Sequence, residues 1–184
     1  MKATTIFILF AFFLLQPAYP QELYITRNGV ASFTSDAPLE VIKAESEQLQ
    51  GVINPAERTF AFSIDNKSFK GFNSNLQQEH FYENYMEAQK YPSSTFKGKI
   101  IEEINLNSTE EQDVRAKGML YIHGVEQERI IRGTIRLTEN SIQLHADFTI
   151  LLEDHQIKVP RVVFEKIAEV IDVTIMAELI KKID

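Results

Sequence analysis

The chain has no cysteine. That absence removes thiol catalysis, Cys-ligated zinc, iron–sulfur clusters and a thioether-linked lipid anchor. It also leaves packing rather than disulfides to hold the fold. A basic tract is missing too: 19 Lys and Arg stand against 26 Asp and Glu, for a net charge of −7. No nucleic-acid partner is expected from such a balance, and the total charge gives no attraction to an anionic membrane. The motifs that carry catalysis are likewise lacking. There is no GxSxG elbow, phosphate loop, GxGxxG, EF-hand or HExxH pair. His80, His123, His145 and His155 match no metal-ligand spacing, so no metal and no cofactor is expected. Glu102-Glu103, Glu110-Glu111 and Glu126/Glu128 read as solvated turn carboxylates. Asn66 and Asn107 begin N-x-[ST] patterns, a short motif that arises often by chance.

What is present begins at the first residue. Lys2 is the only charge before Gln21, Ile6 to Leu15 is an unbroken apolar run, and Gln16 to Pro20 is turn-prone. The run is too short for a membrane-spanning helix, which needs ~20 apolar residues. The three-part layout is that of an export signal peptide, residues 1–20, cut between Ala18 and Gln21. Export to a periplasm or out of the cell is therefore expected. Removal leaves 184 − 20 = 164 residues, which reads as a single soluble domain, 21–184, with no transmembrane segment.

The dominant signal in that domain has period two. Phe60, Phe62 and Ile64 alternate with polar or small neighbours. So do Gly118, Leu120 and Ile122; Ile142, Leu144, Ala146, Phe148 and Ile150; and Ile171, Val173, Ile175 and Ala177. Each run predicts a strand with one apolar face. Asn28-Gly29 predicts a two-residue hairpin turn between Tyr24–Arg27 and Val30–Ser35. Further turns are expected at Asn54-Pro55 and Glu139-Asn140. Helical patterning is confined to Leu76–Gln89, stopped by Tyr91-Pro92, and to Pro160–Ala168. Many strands with tight turns mean an all-β barrel or sandwich. Large apolar side chains recur on one face from end to end of the chain, which favours a barrel, either filled or holding one ligand.

Two segments go beyond a generic β pattern. His80-Phe81 precedes Lys90-Tyr91-Pro92-Ser93-Ser94-Thr95-Phe96, and Gly118-Met119-Leu120-Tyr121-Ile122-His123-Gly124-Val125 follows. In this order and at this separation they resemble the YceI-like family. The resemblance implies an antiparallel lipocalin-like barrel of about eight strands with one or two short helices, exported, and non-catalytic. It implies a long-chain isoprenoid or similar fatty amphiphile as ligand. The candidate lumen residues are the inward alternates Phe33, Phe60, Phe62, Phe96, Leu120, Ile122, Leu144, Phe148 and Ile175, with Phe81 from a segment, Phe81 to Tyr91, placed to close one mouth. Apolar burial of ~0.8 kcal/mol per CH₂ must outweigh an association cost of ~4–15 kcal/mol, so a long chain is required. His80 and His123 are expected to pin a turn or the helix to the rim. Two other classes of function stay open: an envelope stress or redox interaction module with a filled barrel, and a lipid- or quinone-modifying enzyme using either histidine. A homodimer is the commonest assembly for a soluble chain of this kind.

Overall fold

The computed structural model describes residues 22–182. The proposed signal peptide lies outside the described residues. Eight antiparallel strands follow one another around a closed barrel, each hydrogen-bonded to its neighbours in sequence, with β8 returning to β1. They are β1 (Tyr24–Ala37), β2 (Glu40–Asn54), β3 (Thr59–Asp65), β4 (Ser93–Ile100), β5 (Glu111–Ile122), β6 (Val125–Leu137), β7 (Ser141–Leu151) and β8 (Val170–Lys181). Closure pairs every strand on both flanks over at least part of its length, β6 and β7 only through Thr134–Leu137 and Ile142–His145, which limits edge-to-edge association.

The four runs with clean alternation all fall in strands, β3, β5, β7 and β8. The turns at Asn54-Pro55 and Glu139-Asn140 join β2 to β3 and β6 to β7. Asn28-Gly29 is different. It makes no hairpin: β1 runs straight through it, with register shifts against β2 on either side of Gly29. Gly29 does not have positive φ. A Cβ there would come within 3.0 Å of the Ala177 Cβ on β8 and 3.3 Å of Leu49 on β2. The glycine thus serves a bulge and a close approach rather than a turn. The local turn preference loses because β1 must pair on both flanks to close the barrel. Positive φ at both positions of a two-residue turn is found instead at His123-Gly124, between β5 and β6, with φ of 50° and 80°, as a type I′ turn requires.

Helix is scarcer than the patterning predicts. One short α-helix, α1 (Asn75–His80), is capped by Ser74, whose hydroxyl accepts from the Gln77 amide at 3.2 Å. It widens into a single π turn over Phe81–Tyr85, closed by Met86 N–H donating to the Phe81 carbonyl at 2.9 Å. Such a turn re-aims side chains within a helix; here Phe81 points into the barrel. Pro160–Ala168 contains only one 3₁₀ turn, Arg161–Val163. Its ends are tied instead by Leu39 N–H to the Glu165 carbonyl and Ala168 N–H to the Ser35 hydroxyl, at 2.8 and 2.9 Å.

The two ends of the barrel differ. One carries the β2–β3 and β6–β7 turns and the 101–110 loop, and is sealed by a buried cluster that includes Tyr24, Ile53, Ile135, Ile142 and Leu179. The other carries residues 66–92 and 152–169, the longest connections among the described residues. They lie over it as a lid.

Candidate functional site

Between the sealed end and the lid the barrel is hollow. An apolar cavity of about 460 Å³ occupies the interior, within the ~300–1,000 Å³ range of small-ligand sites. All ten candidate lumen residues stand on its wall: Phe33 on β1, Phe60 and Phe62 on β3, Phe81 after α1, Phe96 on β4, Leu120 and Ile122 on β5, Leu144 and Phe148 on β7, and Ile175 on β8. Seven of them, all except Phe60, Leu120 and Ile122, keep partial exposure although they face inward. That residual surface faces the hollow, which a filled core would have covered.

Alternation alone missed part of the wall. Ile131 and Ile135 of β6 line the cavity, but their inward row also holds Gln127 and Arg129. Those two reach the lid: Gln127 donates to the Asp154 carbonyl at 2.9 Å, and Arg129, which also donates to the Thr149 carbonyl on β7 at 2.8 Å, lies 3.7 Å from the Asp154 carboxylate. The row is apolar at the sealed end and polar at the lid end, so it gives no uniform period-two signal. Phe69, Phe72, Ile157 and Ile167 also line the cavity. They come from irregular connections, where no periodicity exists to mark them.

The phenylalanines on the lid side form one aromatic group. Phe81 stacks on Phe33 at 5.2 Å and meets Phe69 and Phe72 at 5.7 and 5.2 Å between centroids. Tyr82 donates its hydroxyl to the Phe69 carbonyl at 2.6 Å. Pairs of this geometry contribute ~0.5–1.5 kcal/mol each beyond burial, so Phe81 anchors the lid while forming part of the cavity roof. Polar side chains gather where the lid meets the β1–β2 turn: Glu40, Gln77, His80 and Lys166 all line the lid end of the cavity.

The two sequence motifs meet in space. The Tyr91 ring packs edge-on against His123 at 4.9 Å and covers Gly124, where any Cβ would collide with the ring. His123 joins three segments. Its Nδ1 donates to the His155 carbonyl at 3.0 Å, and its Nε2 lies 2.7 Å from Glu87 Oε2. His123 thus pins the lid from both sides of the barrel. Asn66 is fully engaged too, donating to the Tyr91 carbonyl and accepting from the Ser94 hydroxyl at 2.8 Å each. Its burial excludes it as a glycan acceptor; Asn107 is exposed in the 101–110 loop. His145 is on the outer face, beside Asp147 at 3.4 Å. Among the described residues no group of His, Asp and Glu is arranged to hold a metal ion, and no helix is long and apolar enough to cross a membrane.

His155, in the 3₁₀ turn Leu152–His155, is wholly buried, and neither ring nitrogen has a hydrogen bond of good geometry. Burial pushes its imidazole below the ordinary 6.5; the nearby backbone of Val125 and Ile122 and the carboxylate of Asp154 pull the other way without prevailing. The unfolded chain therefore takes up a proton near pH 6.5 while the folded chain does not. His155 stabilises the fold above that pH and loses the contribution as pH falls below it, by up to about 1.4 kcal/mol per pH unit. Urea unfolding at pH 7.5 and pH 5.5 should show this loss, and His155→Leu should reduce it. An equal loss in the variant would assign the acid sensitivity elsewhere.

The YceI-like domain signature matches residues 28–179. Among solved structures, a polyisoprenoid binding domain from Saccharophagus degradans, implicated in plant cell wall breakdown, superposes with a TM-score of 0.73 at 14% identity, covering 87% of this chain and 98% of that one. BcnA of Burkholderia cenocepacia gives 0.66 at 14% identity, with coverage of 84% and 96%. The YceI protein of Campylobacter jejuni gives 0.61 at 17%, with coverage of 76% and 85%. At such identities these likenesses establish the fold. No curated protein matches the chain.

Proposed function

The chain belongs to the YceI-like family, and from that premise we propose that it is an exported, non-catalytic binding protein that holds the apolar tail of an isoprenoid or similar long-chain amphiphile inside the barrel. The observation that carries the reading is the cavity itself: a hollow of about 460 Å³ walled by aromatic and aliphatic side chains, sealed at one end and bordered by polar groups at the other. An amphiphile fits this polarity. Its tail gains ~0.8 kcal/mol per methylene buried, and its head group stays near Glu40, Gln77, His80 and Lys166. The polyisoprenoid ligand of the Saccharophagus degradans domain supports the tail chemistry. The export signal read from residues 1–20 supports a place beside a membrane, in a periplasm or outside the cell, where apolar chains need a carrier through water.

Catalysis is not part of the proposal. His123 has both nitrogens committed to holding the lid, and His80 stands at the lid end with no carboxylate or nucleophile bonded to it among the described residues. Solvent extraction of the purified protein followed by lipid mass spectrometry should recover a bound amphiphile in near-stoichiometric amount. Recovery of none, from protein never exposed to detergent, would overturn the reading.

A further inference from the structure

Eleven large apolar side chains stay exposed among the described residues, and six of them lie at the lid end: Leu39, Val41, Leu76, Val162, Phe164 and Val170. They belong to neighbouring segments. Leu39 N–H bonds the Glu165 carbonyl at 2.8 Å, and Asn73 Nδ2, just ahead of α1, bonds the Val41 carbonyl at 2.9 Å. The most exposed is Val162, at 90%, with Phe164 at 62%. Scattered single apolar residues are ordinary, but a group gathered at one end of a molecule marks a contact surface.

The stretch that carries Val162 and Phe164 is also locally basic in an acidic protein. Lys158, Arg161 and Lys166 against Glu165 give +2 over residues 158–166, so the rest of the chain carries −7 − 2 = −9. All three cations are exposed, and none is held in an ion pair among the described residues. The same stretch borders the hollow. Val163 and Ile167 face the cavity, while Val162 and Phe164 face outward. An apolar chain leaving the barrel past Val163 would emerge directly onto exposed apolar side chains.

We propose that the 158–167 strap is a docking surface for a lipid bilayer with anionic head groups, Val162 and Phe164 entering the interface and Lys158, Arg161 and Lys166 lying against the head groups. The charge pattern selects this occupant over a second copy of the chain, whose remaining surface could meet the strap only through scattered carboxylates. It also sets the orientation. Glu79 and Glu83, on α1 and the π turn, are repelled by an anionic surface, so the barrel tilts onto the strap and away from the helix. Docking stands independently of the cavity's contents; that it delivers a tail between bilayer and barrel rests on the binding reading above.

Flotation with vesicles of phosphatidylethanolamine and phosphatidylglycerol, against pure phosphatidylcholine, tests it. The protein should float with the anionic vesicles, only weakly with the neutral ones, and less as salt rises. Val162→Asp with Phe164→Asp, both at exposed positions, should cut flotation by about tenfold or more with melting temperature unchanged. Arg161→Gln should cut it by about fivefold. Undiminished flotation of the Asp variant, equal flotation on both lipids, or none by the parent protein would overturn the proposal. So would a variant that changes only the oligomeric state, which would assign the strap to a second copy. Bound-lipid content measured on the same preparations reports on the cavity reading alone.

Discussion

Replacing Ala116 and Ala146 with phenylalanine is expected to abolish amphiphile binding while the barrel still folds. Both alanines stand on the cavity wall, on β5 and β7. Ala116 pairs with Ile131 across β5–β6 and Ala146 with Ile175 across β7–β8, so two rings would enter the hollow from different sides at mid-barrel. If they displace about four methylenes of a bound tail, at ~0.8 kcal/mol each, affinity falls by ~3 kcal/mol, more than a hundredfold. Overpacking a full core costs ~1–3 kcal/mol, but these rings enter empty space, so the melting temperature should move by only a few degrees. Titration with a fluorescent fatty acid, beside a melting curve, separates the outcomes. Unchanged affinity in a folded variant would place the ligand elsewhere. Collapse of the fold would mean that the interior has no room, contrary to a hollow barrel. In the parent protein, affinity should rise about fourfold per added methylene until the cavity is full and then level off.

Gly98→Val is expected to destabilise the barrel strongly. Gly98 and Gly118 face each other across β4 and β5. A Cβ on Gly98 would run into the Lys117 carbonyl and the Gly118 Cα, and a Cβ on Gly118 into the Lys97 carbonyl. The obstacles are backbone, not flexible side-chain ends, so the strands must separate and their ladder hydrogen bonds lengthen. Neither glycine has positive φ. The demand is for close approach at a bend, the usual meaning of glycine inside a strand. A loss of about 3 kcal/mol or more follows, or ~6–12 °C in melting temperature for a chain of this size. Lys99→Val, one position beyond on the exposed side of the same strand, should stay within ~0.5 kcal/mol. Similar melting temperatures for the two variants would show that β4 and β5 can part without cost.

Most of the barrel was readable because a strand buried on one face must alternate. β3, β5, β7 and β8 do so without interruption, and their inward rows hold seven of the ten candidate wall positions, with Phe33 and Phe96 their direct neighbours on the ladder. β6 obscured its own rhythm, since Arg129 and Gln127 use inward positions to tie down the lid. Asn28-Gly29 carried a correct local preference that closure overrode, and His123-Gly124 satisfied the same preference where the chain actually reverses. The exposed strap was hidden for another reason. A total of −7 averages away a local excess of positive charge, and exposure is not a property of sequence.

Side-chain direction in a strand is fixed by the pleat, so the alternation, the strands, the inward aromatic rows and the family follow from the residues alone. The hollow interior, the meeting of the two motifs through Tyr91 and His123, and the sharing of one rim by apolar and basic residues emerge only when the chain folds. Each of these is a distance between segments far apart in the chain. It depends on how eight twisted strands close and on how much volume their side chains leave unfilled.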